Sequence, residues 1–135
     1  MEMSRNMSQE KAMTILYDAL TYEAMGQDFD VKELIADILD TPYEEADLYV
    51  KEIVIKALLH QDSYIQKLEE KMEKWKFSRL NRVTQAILLM SCAHYFEIQE
   101  TDRAVIIDVA VRLAKKFLDD NDYKFVNAIL ENVLC

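Results

Sequence analysis

The sequence predicts an all-α fold, and three observations carry that prediction. The 135 residues include one glycine and one proline, too few for the turns of a hairpin-rich β architecture. Hydrophobic residues make up 51% of the chain and recur at intervals of three and four, the repeat of an amphipathic helix. Short polar residues stand before most of these stretches, where a side-chain oxygen accepts a free backbone N–H of the first turn. A chain of this size buries roughly 70% of its unfolded surface. Residues 1–135 therefore read as one domain with a core that needs no disulfide or metal staple.

The first helix is expected from Ser8, its N-cap, to Met25, with Ala12, Ile15, Leu16, Ala19 and Leu20 as its apolar stripe. Gly26 follows, where a left-handed residue ends a helix. A second helix fits Val31 to Leu39, with Leu34, Ile35, Ile38 and Leu39 inward. Thr41-Pro42-Tyr43-Glu44 has the form of a capping box with proline in the first turn. The helix it opens continues through Leu48, Val50, Ile53, Val54 and Leu58. Asp62 or Ser63 caps a helix ending near Lys74, and Ser78 caps the next, from Arg79 to Phe96. Thr101 or Asp102 caps another, to Leu118, and Asp122 the last, to Leu134. About seven helices result. The segment Thr84 to Phe96 is apolar at nine of thirteen positions, the pattern of a helix surrounded by protein. It is expected at the centre, with Val105 to Phe117 packed against it.

Little in the sequence points to catalysis. Cys92 and Cys135 lack metal-ligand spacing and suit a reduced intracellular protein. Cys92 and His94 stand two apart, and on a helix such residues point about 200° from each other, so they do not form a nucleophile–base pair. Glu69, Glu70 and Glu73 interleave with Lys67, Lys71 and Lys74, the pattern of a solvated, salt-bridged face. A single glycine excludes a Gly-rich phosphate loop. The expectation is a protein with no catalytic residues, no metal and no cofactor. No apolar run reaches 18 residues and no basic-then-apolar leader is present, so neither a membrane span nor a secretory signal is expected, and the location is cytoplasmic.

The net charge of −9 makes the surface as a whole repel nucleic acid and anionic membranes. Only residues 61–83 are basic, with six cations against four acids. Lys71, Lys74, Lys76, Arg79 and Arg82 fall there, with Trp75 and Phe77 between them. Cations with aromatics suit single-stranded nucleic acid, because phosphates want charge and unstacked bases want flat apolar faces. A helix junction pinned into the core by both rings accounts for the same residues, and composition by itself favours it.

The stretch WKFSRLNRVTQAILLMSCAHYF, Trp75 to Phe96, resembles the central signature of the NusB family of bacterial transcription antitermination factors. VIIDVAVRLAKKF (Val105 to Phe117) and YKFVNAILENVL (Tyr123 to Leu134) resemble its later blocks at the family's spacing. TPYEEADLYVKEIV and ILYDAL are weaker matches in the same order. The likeness spans nearly the whole chain. It implies two helical bundles packed crosswise. It also implies binding of a boxA-type single-stranded RNA from ribosomal RNA leaders, pairing with the ribosomal protein NusE, and a place in the RNA polymerase antitermination complex that supports ribosomal RNA transcription and maturation.

Carried over by position, the RNA-binding residues implied are Arg5, Lys11, Tyr17, Arg79, Arg82, Lys116, Lys124 and Phe125. The family's arginine-rich start reads SRNMSQEK here, with Arg5 and Lys11 as its cations. Tyr17 stands at the first-helix tyrosine position, roughly 120° from the apolar stripe. Phe125 lies at the rim of the last helix's stripe of Val126, Ile129, Leu130 and Val133, with Lys124 outside it, while Asn127 reads as structural. Leu89 and Val109 stand where family members carry an arginine and a glutamate, and both are expected to make the surface less polar. The alternative function is a protein–protein interaction module of this fold that has lost RNA binding. Monomer and dimer both remain open.

Overall fold

Burial runs without a break from Thr84 to His94, so the helix carrying this run has protein on every side. The structure, a computed structural model, describes residues 3–135. Among these residues there are seven α-helices and no strand: α1 Arg5–Ala24, α2 Val31–Leu39, α3 Leu48–Leu59, α4 Gln61–Glu69, α5 Arg82–Ala93, α6 Arg103–Phe117 and α7 Asp122–Val133. Helices α1, α2 and α3 pack together, α6 packs most extensively on α7, and α5 touches α1, α3, α4, α6 and α7. The central helix thus joins an N-terminal to a C-terminal group. The expected α1 stripe is buried, and in α7 Val126, Ile129, Leu130 and Val133 face the core. Gly26 has φ +68°, the left-handed geometry that releases the chain from α1. Among the described residues no helix is long and apolar enough to cross a membrane.

The helix ends differ from expectation, and each difference has a local cause. α1 begins a turn early because Ser4, not Ser8, accepts the N–H of Met7 at 3.2 Å. Ser8 is buried inside the helix and donates its hydroxyl to the Ser4 carbonyl. Thr41 caps nothing. Pro42 is extended, only a 3-10 turn forms at Tyr43–Glu45, and the chain extends again at Ala46 to bury it. Asp47 then caps α3 by accepting from Val50 N–H at 3.0 Å.

α4 starts at Gln61 and stops at Glu69 rather than Lys74. Its last carboxylate turns back to accept the Phe77 N–H at 2.9 Å, which ties down the loop. Ser78 lies in a 3-10 turn, and Asn81 caps α5 by accepting from Thr84 N–H at 2.8 Å. α5 ends at Ala93 rather than Phe96 because His94–Ile98 widens into a π-helix, closed by Gln99 at φ +57°. Asp102 and Asn121 precede α6 and α7 without a side-chain capping bond, and Asp122 is already helical. Leu89 is fully buried and Val109 packs against the core. The departure at Leu89 therefore changes the interior, not the surface.

Candidate nucleic-acid interface

The outer side of α1 supplies the first edge of the site. Residues four, seven and eleven positions after Glu10 share its helical face, which aligns Glu10, Thr14, Tyr17 and Thr21. Tyr17 is 40% exposed. Thr14 and Thr21 donate their hydroxyls to the carbonyls of Glu10 and Tyr17, leaving the tyrosine ring as the main exposed apolar surface of this row. Two cations from other helices reach its ends. Lys116, from the last turn of α6, is bound to the Glu10 carboxylate. Arg82, the first residue of α5, donates from Nη1 to Thr21 Oγ1 at 3.4 Å.

Arg82 is half-buried. Its Nε is out of solvent with no hydrogen-bond partner. Among the described residues no carboxylate forms an ion pair with it. It sits at the N-terminus of α5, where the helix dipole is positive. An uncompensated guanidinium added to a positive helix end makes this the point of the site most favourable to an anion.

The turn before α5 supplies the second edge. Trp75, Arg79, Asn81 and Thr84 face Asp122 and Phe125 of α7 across a pocket of about 280 Å³. The two rings of the basic stretch part company here. Phe77 is buried, as a core anchor should be, whereas Trp75 is 56% exposed. The backbone between them is extended at Lys76 (φ −103°, ψ 145°). Sequence reasoning left Trp75 outside the site. A signal was available, because Trp75 stands between two lysines while Phe77 has a lysine on one side only.

Of the eight residues implied by resemblance, Arg79 and Phe125 line one pocket. Lys124 is exposed beside Phe125, Arg82 lies three residues beyond Arg79, and Tyr17 is one turn from the Thr21 that Arg82 touches. Lys116 reaches the same face of α1 but is engaged by Glu10. Arg5 and Lys11 stand apart. Lys11 is roughly 120° from Tyr17 around α1. Arg5 lies over the Tyr49 ring, 3.9 Å from its centroid, and borders a different pocket with His94, Glu52 and Glu100. Asn127 is exposed.

That second pocket holds no assembled catalytic pair. His94 Nε2 is 3.1 Å from Thr101 Oγ1, and burial, followed by the Arg5 charge, holds its pKa below the usual histidine range. Cys92 is fully buried, and burial pushes its thiol up to about 12. Among the described residues no group of three or more His, Cys, Asp or Glu side chains converges on a metal site.

Comparison with known proteins shows what the whole chain is similar to. The family model described as NusB family matches residues 6–134. The transcription antitermination protein NusB of Macrococcus caseolyticus is 33% identical over 134 residues, covering 98% of this chain and 97% of its own. That of Bacillus subtilis is 30% identical, covering 97% and 95%. Among solved structures, T. maritima NusB superposes with a TM-score of 0.81 at 24% identity, over 99% of this chain and 92% of that one. A chain from the structure of antitermination factors NusB and NusE in complex with dsRNA gives 0.78 at 22% identity, over 96% and 95%.

Proposed function

The chain belongs to the NusB family, and from that premise we propose that it is a transcription antitermination factor binding a boxA-type RNA leader together with NusE. In this reading it serves the RNA polymerase antitermination complex in the cytoplasm and supports ribosomal RNA transcription and maturation without catalysing a reaction. Its mechanism is avidity. A modest RNA surface and a modest protein surface act together, and each bound partner lowers the ordering cost of the other.

The observation that carries the RNA-binding half is Arg82. A half-buried cation with an unpartnered Nε and no carboxylate is costly to keep unless an anion completes it. Tyr17 on one side and Phe125 on the other offer flat apolar surface near this charge, which suits single-stranded RNA. Arg79, Arg82 and Lys124 are the cations proposed to meet phosphates. Lys116 joins them once released from Glu10, whereas Arg5 and Lys11 stand apart from this surface.

The test is binding of a labelled boxA-type RNA, read by fluorescence anisotropy across a salt series, with and without NusE. For Arg82→Gln the affinity falls and the slope of log K against log salt flattens by about 0.7, the contribution of one phosphate on a single strand. An unchanged slope and affinity would falsify the assignment of Arg82. A second reading is favoured by Lys116 and Arg5, whose charges are engaged by Glu10 and by the Tyr49 ring. It is a module that keeps NusE and has lost RNA. NusE binding with no RNA shift, even at low salt, selects it.

A further inference from the structure

The pocket between the α5 turn and α7 has the chemistry of a slot for a flat heteroaromatic ring. We propose that Trp75 and Phe125 are its two walls and that it stacks one unpaired RNA base, with Arg79 on the adjoining phosphate. The proposal rests on the RNA-binding reading above and goes beyond it by assigning Trp75 a binding role.

Four observations carry it. First, Trp75 is the only tryptophan and is 56% exposed, which leaves a flat aromatic surface accessible to a stacking ligand. Second, the pocket it lines holds about 280 Å³ and is bordered across from it by the half-buried Phe125. Phe125 packs on the core with its inner side, and among the described residues neither ring is paired with another aromatic side chain, so no ring of the protein fills the slot between them.

Third, the edges of the slot match the edge of a base. The Asn81 side-chain oxygen is used to cap α5, which leaves its amide N–H groups to donate into the pocket. Asp122 accepts the Asp119 N–H through one carboxylate oxygen at 3.3 Å, which leaves the other to accept from a ligand. Every nucleobase presents a donor and an acceptor side by side on its Watson–Crick edge. The slot therefore reads a base as a base without choosing strongly among the four. Fourth, the charge is placed for a strand rather than for a free base. Exposed Arg79 lines this pocket and the adjoining surface, where Lys74 and Lys76 stand with Glu73 and with Glu69, whose carboxylate is taken by the Phe77 N–H. An acidic or purely apolar peptide would meet the Asp122 carboxylate or leave these cations unanswered, so the occupant favoured is single-stranded RNA.

Because the chain has one tryptophan, the slot reports on itself. Short unstructured ribo-oligonucleotides are titrated against the full chain and Trp75 emission is followed, with an abasic oligomer of the same length as the control for phosphate alone. Labelled-RNA anisotropy is measured in parallel on Trp75→Ala and Trp75→Phe. The expected result is quenching by the base-bearing oligomer and not by the abasic one. Trp75→Ala should lose about 5- to 100-fold in affinity, Trp75→Phe should recover most of it, and both should melt at the wild-type temperature because the ring is exposed. If RNA binds but Trp75 emission does not respond and Trp75→Ala binds as well as wild type, the slot falls and the RNA-binding reading stands. If no oligomer binds with or without NusE, both fall together. If NusE alone shifts the emission and RNA adds nothing, the pocket is a protein-docking site and the base slot is overturned.

Discussion

His94 illustrates how one side chain takes its properties from packing. Its ring is 8% exposed, bonded to Thr101 and edge-on to Tyr49 with centroids 5.7 Å apart. Arg5, Glu52 and Glu100 are the charged groups around its pocket. Burial first, and the Arg5 charge second, lower its pKa from 6.5. A lowered base is neutral in the folded state while the unfolded chain still binds a proton. Its contribution to stability is therefore whole above pH 6.5 and is lost as pH falls through the folded-state value. Below pH 6.5 the melting temperature of the wild type should fall more steeply than that of His94→Gln. Parallel curves would mean that another group sets the acid limit. The same packing explains why Cys92, two residues away, is no partner for His94. Its thiol is sealed in the core while the imidazole faces the α1–α3 side.

The cap of α3 shows how a correct local signal can be overruled within an element. Thr41-Pro42-Tyr43-Glu44 has the residues of a helix start, yet the helix begins six residues later, behind Asp47. Starting at Pro42 would require Ala46 to be helical, and in the fold it is extended and buried. The stripe of Val50, Ile53, Val54 and Ala57 then meets α1 and α5. Burial of that stripe outweighs a cap, which is worth on the order of 1 kcal/mol. Asp47→Ala should therefore cost about 1 kcal/mol in denaturant unfolding, while Thr41→Ala, whose hydroxyl caps no helix, should cost little. The reverse order of the two would restore the helix start to Thr41.

Across the whole molecule, charge decides how much of the RNA surface is usable. The chain carries −9 overall, and its interface cations divide into engaged and unengaged groups. Lys116 is held by Glu10, whereas Arg79, Arg82 and Lys124 take no part in an ion pair among the described residues. Removing the Glu10 charge is expected to release Lys116 toward the strand and to reduce repulsion of phosphate. Glu10→Gln should tighten RNA binding and steepen the salt slope by about 0.7, one added phosphate contact. A weaker complex at every salt concentration would show that Glu10 serves the RNA directly. The exposed pair itself contributes little to folding, so the melting temperature should hold.

The sequence by itself determined the all-helical class, the inward stripes, and the central place of α5. Each follows from periodicity and apolar content, which are local properties. It also marked the residues of a basic, aromatic stretch. Only the tertiary structure decided which of them serve the core and which face solvent. Phe77 and Trp75 are both aromatic residues in the same basic stretch, and packing sends one inward and leaves the other out. Likewise, only the approach of α6 and α5 to α1 commits Lys116 to Glu10 and leaves Arg82 without a carboxylate. The physical reason is range. Helix formation is governed by residues three and four apart, whereas burial and ion pairing depend on neighbours as far apart in sequence as Glu10 and Lys116, 106 positions.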